Sequence, residues 1–141
     1  MKLFDTSCLV YVANASHPHH PAARAAFDSA MSVDEVLLPW NSILGFLRLS
    51  TSRVAMPVPI PIDEALAEVD RWLARGNVRV PVPGPDHFTR VRRLLEAAHG
   101  GGALGTDAHL AALALQYGAI VVSFDADFAR FPGVRWERPA A

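Results

Sequence analysis

Short runs of consecutive apolar residues alternate along this chain with longer stretches whose apolar positions recur at helical spacing. The segment Lys2 to Asp5 predicts a first strand, and Leu9 to Ala13 a short helical segment broken by the polar, proline-bearing Asn14 to Pro18. Pro21 sits near the start of the next helix, where its missing N–H has no intrahelical partner. Ala22, Ala26, Phe27 and Ala30 supply that helix with an apolar face. Val36-Leu37-Leu38 is a continuous apolar run, as in a buried parallel strand. Trp40 to Leu49 returns to helix with Ile43, Leu44 and Leu47 inward. Pro57, Pro59 and Pro61 form a stiff connector.

Asp63 to Ala74 predicts a helix with Leu66, Val69 and Leu73 on one stripe, followed by a short strand over Val78 to Val82. Asp86 is placed to cap a helix running to about Ala98, and His99-Gly100-Gly101-Gly102 makes a flexible loop. Thr106 is placed to cap the next helix, with Asp107 in its first turn. Leu110, Leu113, Ala114 and Tyr117 continue that helix and Gly118 closes it. Ala119 to Ser123 reads as a buried strand, and a last strand falls near Val134 to Glu137. Strands alternating with helices predict a parallel α/β sheet.

At 141 residues, residues 1–141 read as a single domain with one substantial core. An apolar content of 51% against 19% charged residues excludes a disordered chain. No apolar run reaches the roughly 18 residues needed to span a bilayer. The chain enters a strand without the pattern of a secretory leader, so a cytoplasmic location and no membrane association are expected. The single Cys8 excludes an internal disulfide and reads as a small core residue. The net charge of −1 gives no general pull toward nucleic acid, so such binding requires a local patch. Lys2 is the only lysine among thirteen basic residues. The rest are arginines, whose planar fork suits phosphate recognition.

The candidate chemistry lies where apolar runs end in acids. Asp5 closes the first strand, Asp125 follows Val121-Val122-Ser123-Phe124, and Asp107 follows Gly105-Thr106 at a helix start. Taken singly, each Asp is as readily a helix cap or turn former. Together they change the reading, because ligands of open parallel sheets bind beyond the carboxyl ends of the strands. Converging carboxylates with no basic partner repel one another unless a cation sits between them. Oxygen donors of this kind suit Mg²⁺ or Mn²⁺.

The segments Phe4-Asp5-Thr6-Ser7, Thr106-Asp107-Ala108-His109-Leu110-Ala111 and Ser123-Phe124-Asp125-Ala126-Asp127-Phe128 resemble the signatures of PIN-domain ribonucleases. More narrowly, with Pro39-Trp40, Gly45-Phe46-Leu47-Arg48 and Gly133, they resemble the VapC toxins of type II toxin–antitoxin pairs, in a subgroup abundant in mycobacteria. The resemblance covers essentially the whole chain in the right order. It implies a PIN-like three-layer α/β/α fold around a mostly parallel sheet of four to five short strands. It also implies a Mg²⁺- or Mn²⁺-dependent endoribonuclease that cleaves structured RNA, a transfer or ribosomal RNA, through metal-activated water. Asp5, Asp107 and Asp125 match the family's metal-binding and catalytic acids, and Asp127 matches a less regular fourth position. Thr6 and Ser123 match supporting hydroxyls. A VapB-type antitoxin and a homodimer are expected partners.

One position departs from the pattern. Many members carry a Glu on the helix after the second strand, where this chain has Gly45; Asn41, one turn earlier, offers a neutral oxygen. Arg48 and Arg53 are candidate substrate contacts. His17, His19 and His20 lack the companions of a transition-metal site and read as loop residues. His109, two residues from Asp107, points elsewhere on its helix. Trp40 and Trp72 read as core or interface residues.

Two other readings are open. A signalling receiver or aspartyl-phosphate phosphatase also places Asp at strand ends, but needs a Lys near the later strands, and the only Lys is Lys2. A catalytically weak or inactive PIN-like module that binds RNA or a protein partner draws its support from Gly45.

Overall fold

The computed structural model describes residues 1–140. Five parallel strands form one sheet in the order β3-β2-β1-β4-β5. They are β1 (Lys2–Phe4), β2 (Val36–Leu37), β3 (Val78–Arg79), β4 (Ile120–Val122) and β5 (Trp136–Glu137). The helices are α1 (Thr6–Ala13), α2 (His20–Val33), α3 (Trp40–Ser50), α4 (Ile62–Leu73), α5 (His87–Ala98) and α6 (Leu104–Tyr117), with a 3₁₀ turn at Ala126–Arg130. This is the expected α/β class, with all strand pairs parallel.

Successive strand residues point to opposite faces of the sheet, so the inner strands β1, β2 and β4 each feed two cores. Phe4, Val36 and Val122 pack with Leu9, Phe27, Phe46 and Trp72 from α1 to α4. Leu3, Leu37 and Val121 pack with Leu94, Leu110, Leu113 and Phe128 on the side of α5 and α6. Strands buried on both faces read as unbroken apolar runs, which is why the sequence locates them. They are shorter than expected. The third ends at Arg79, ahead of Pro81 and Pro83, which have no N–H for a ladder.

The inward faces of two helices differ from the expected ones. On α4 the buried residues are Ala65, Val69 and Trp72, whereas Leu66 and Leu73 are 46% and 36% exposed. The Trp72 ring sets this rotation by filling the space between Phe27 and Phe46, at centroid distances of 5.5 and 4.8 Å. On α3, Leu44 is 59% exposed and Phe46 turns inward in its place. Helix α6 begins at Leu104, so Thr106 lies inside its first turn and is exposed instead of capping it. Leu104 N–H bonds the Gly101 carbonyl and the Leu104 side chain is buried, which starts the helix early. Asp86 occupies the N-cap position of α5 without a side-chain cap bond. Gly118 closes α6 in the left-handed region at φ 68°. Cys8 is buried as expected, and burial, then the Asp5 charge, push its thiol up to about 12.

Candidate active site

The strand order reverses between β1 and β4, since the chain moves from β1 out to β3 and then returns to the other side of β1. The functional acids gather outside this switch point. Asp5 follows β1 directly and is held there by its N–H to the Val122 carbonyl, at 3.2 Å. It also caps α1, accepting the Thr6 N–H at 2.7 Å. Asp125 follows β4 and caps the 3₁₀ turn by accepting the Asp127 N–H at 2.9 Å. The capping roles and the clustering therefore coexist in the same residues.

The fully buried Ser123 ties the two strand ends together. Its hydroxyl donates to Asp5 Oδ2 at 2.6 Å and accepts the Asp125 N–H at 3.0 Å. Asp5 thus has three local donors, counting the Ser7 hydroxyl at 3.4 Å. Burial still raises its carboxyl above the usual range, outweighing the lowering by Ser123 and Thr6.

Asp107 comes from the first turn of α6. One carboxylate oxygen from each of Asp107, Asp125 and Asp127 lies within 4.8 Å of the others. Desolvation, then the charges of Asp125, Asp5 and Asp127, push Asp107 up to about 7. Among the described residues, the one cation paired with this group is Arg130, 3.8 Å from Asp127 and half-exposed. Asp5, Asp107 and Asp125 form no ion pair. Three carboxylates this close, with a single half-exposed arginine against one of them, fit a hard divalent cation by donor type and by charge.

Asp5, Asp107 and Asp125, but not Asp127, line a cleft of about 770 Å³ together with Thr6, Asn41, Gly45, Arg48 and Thr106. Arg53 is exposed beyond the end of α3 and is not part of the lining. The sequence reading missed Tyr11, His19 and Arg138, which the fold brings to the same cleft beside Phe124. No spacing rule joins these positions; only the return of the 14–20 loop and of β5 does.

Gly45 has a packing reason of its own. A Cβ there would lie 2.6 Å from Thr6 Cγ2, 2.7 Å from Thr6 Oγ1 and 3.2 Å from Thr6 Cβ. Turning the Thr6 rotamer relieves the first two contacts but leaves the third tight. The close crossing of α1 and α3 thus strains any side chain at position 45 unless Thr6 shifts.

His20 Nδ1 lies 2.8 Å from the Tyr11 carbonyl and His17 Nδ1 accepts the His19 N–H at 3.0 Å, so two of the loop histidines hold backbone. His109 faces His87, with Nδ1 and Nε2 2.7 Å apart, away from the cleft.

The model of the PIN domain family matches residues 2–134. Ribonuclease VapC37 of Mycobacterium tuberculosis is 39% identical, covering 100% of this chain and 99% of its own length. Ribonuclease VapC31 of the same species is 38% identical over 99% of each chain. Among solved structures, the sarcin-ricin-loop-cleaving toxin VapC20 of M. tuberculosis superposes with a TM-score of 0.69 at 21% identity, over 96% of this chain and 99% of its own. Rickettsia felis VapBC2, bound to a DNA fragment from its promoter, gives 0.68 at 16% identity, over 99% and 98%. Among the described residues, no helix is long and apolar enough to cross a membrane. With its acids at the switch point of a parallel sheet and its full-length likeness to these enzymes, this chain belongs to the PIN-domain family, among the VapC ribonucleases.

Proposed function

We propose that this protein is the toxin of a toxin–antitoxin pair, a Mg²⁺- or Mn²⁺-dependent endoribonuclease that cleaves structured RNA within the cytoplasm. The observation that carries the reading is the approach of Asp107, Asp125 and Asp127 within 4.8 Å, with Asp5, Asp107 and Asp125 lining one open cleft. Asp5, Asp107 and Asp125 would hold the ion, with Asp127 as a further oxygen. A bound divalent ion supplies a lowered pKa for water and charge stabilisation at the phosphate. Ser123 and the Thr6 N–H fix the Asp5 carboxylate, so its oxygens need little reorganisation on binding. Asn41, lining the same cleft, would offer a neutral oxygen, and Arg48 would offset the repulsion between acids and phosphate.

The relatives support a regulatory partner, since VapBC2 of R. felis is a toxin–antitoxin assembly on promoter DNA. A VapB-type antitoxin would cover the cleft of this protein. Trp40 and Leu44, 55% and 59% exposed on α3, support a protein contact such as a homodimer. A catalytically weak or inactive module that binds RNA or a protein partner is the alternative; Gly45 has a packing reason in its close contact with Thr6, but leaves the cleft without a carboxylate at that position.

The test is cleavage of total cellular RNA by purified, antitoxin-free protein with Mg²⁺, Mn²⁺ or EDTA, beside Asp5→Ala. Discrete fragments that require the metal and Asp5 support the reading and identify the target. Equal cleavage by the variant, or none by folded parent protein supplied with metal, overturns it.

A further inference from the structure

The wall of the cleft beside Asp125 is aromatic. The Tyr11 ring meets Phe124 edge-on at 5.3 Å, and His19 stacks on Phe124 at 4.4 Å with an interplanar angle of 14°. The Arg138 guanidinium lies 5.3 Å from the Phe124 ring centre and donates Nη1–H to the Phe124 carbonyl at 2.7 Å. His17 stacks on Tyr11 at 4.0 Å. All four of Tyr11, His19, Phe124 and Arg138 line the cleft that contains Asp5, Asp107 and Asp125. The cluster is tied down by the His20–Tyr11 bond and by Trp136 Nε1–H donating to the Ser123 carbonyl at 2.8 Å, which anchors β5 just ahead of Arg138.

Such a wall has no part in metal binding. Planar rings and a guanidinium held in the mouth of a phosphate-cleaving site match the means by which proteins hold unstacked bases. A base inside a duplex is covered by its neighbours on both faces, so only a looped or splayed nucleotide can use such a surface. Neither Arg48 nor Arg138 forms an ion pair with a described residue, and the two lie in the same cleft as the acids. The volume of about 770 Å³ is within the range of about 300–1,000 Å³ usual for sites that take a small ligand.

We infer that Tyr11, His19, Phe124 and Arg138 form a subsite for one unpaired nucleobase next to the phosphate to be cleaved. The inference rests on the nuclease reading and deepens it: these four side chains would hold the base beside the bond that is cut. The cut would fall beside an unstacked nucleotide.

The experiment uses a short single-stranded oligoribonucleotide carrying 2-aminopurine, and the same strand paired to its complement. Anisotropy gives affinity, and 2-aminopurine emission reports stacking, both with Ca²⁺ replacing Mg²⁺. Cleavage of the single strand with Mg²⁺ gives kcat and KM. The parent is expected to bind the single strand in preference to the duplex and to change the 2-aminopurine emission. Phe124→Leu and Arg138→Ala are each expected to weaken binding about 5- to 100-fold, the range for loss of one stack, raising KM more than they lower kcat. Phe124→Tyr should retain affinity. Arg138 is exposed, so its variant tests the subsite even if Phe124→Leu does not fold. Unchanged affinity in folded variants, or equal binding of duplex, with metal-dependent cleavage intact, overturns the subsite and leaves the nuclease standing. Absence of any RNA binding or cleavage by the parent, with variants that instead lose a peptide partner, overturns both.

Discussion

On the floor of the cleft, Asp5 and Asp107 hang from regular elements, one at the end of β1 and the other in the first turn of α6. On the wall, His19, Phe124 and Arg138 lie outside helices and strands, and are placed by a returning loop and two strand ends. The floor is acidic, linked by Ser123 and held by backbone bonds of the sheet. The wall is aromatic and cationic, held by ring contacts and bonds to carbonyls. On the proposed reading, the chemistry that needs fixed oxygens falls to side chains at the ends of regular elements, and base recognition to side chains carried mainly by loops.

The largest expected effect comes from breaking the floor. Asp107→Asn and Asp5→Asn should each reduce cleavage at least about 10²-fold, since metal-assisted charge stabilisation is worth several kcal/mol at about 1.4 kcal/mol per tenfold. Single-turnover assays on the target RNA check this. Residual cleavage close to the parent rate would move the catalytic role elsewhere.

Ser123→Ala keeps every acid but removes the hydroxyl that positions Asp5. A fall of about 10- to 100-fold in divalent-ion affinity is expected, as for other groups that orient a ligand. Isothermal titration with Mn²⁺ measures it. An unchanged affinity would show that the Thr6 N–H and the Ser7 hydroxyl suffice to hold the carboxylate.

Gly45→Glu tests whether the floor can take another acid. The Cβ clash with Thr6 predicts a loss of about 1–3 kcal/mol of folding stability, read by urea denaturation. Thr6→Ser in the same background should recover part of it by removing the Cγ2 contact. A fully stable Gly45→Glu would mean that α1 and α3 separate easily.

The smallest effect is on pH dependence. With EDTA present, native Asp107 holds its proton up to about 7, whereas the unfolded group loses it near the ordinary 3.8. Between these values the native state binds more protons, so stability falls as pH rises through the window and levels off above it. Thermal melts across this range should show the slope, and Asp107→Asn should flatten it. Added Mg²⁺ should stabilise most at the alkaline end, where no proton has to leave.

The alternating apolar runs located the three inner strands because β1, β2 and β4 bury residues on both faces, whereas the edge strands β3 and β5 each carry an exposed charge, Arg79 and Glu137. The three principal acids were legible for a related reason: each sits within three residues of an element boundary, and boundaries carry sequence signals. Helix faces were less legible. Leu66 and Leu73 satisfy the periodicity of α4 as well as Ala65 and Trp72 do, and the size of Trp72 decides which stripe the neighbouring Phe27 and Phe46 accept.

The sequence by itself determined the α/β class, the positions of the strands and the acids at their ends, since these follow from local burial and termination. Only the tertiary structure decided that Asp127 joins Asp107 and Asp125 within 4.8 Å, that Gly45 is required by Thr6, and that His19, Tyr11 and Arg138 meet Phe124 at the cleft. Those relations join residues far apart in the chain. Their energies depend on which helices and loops approach closely, a quantity no local pattern encodes.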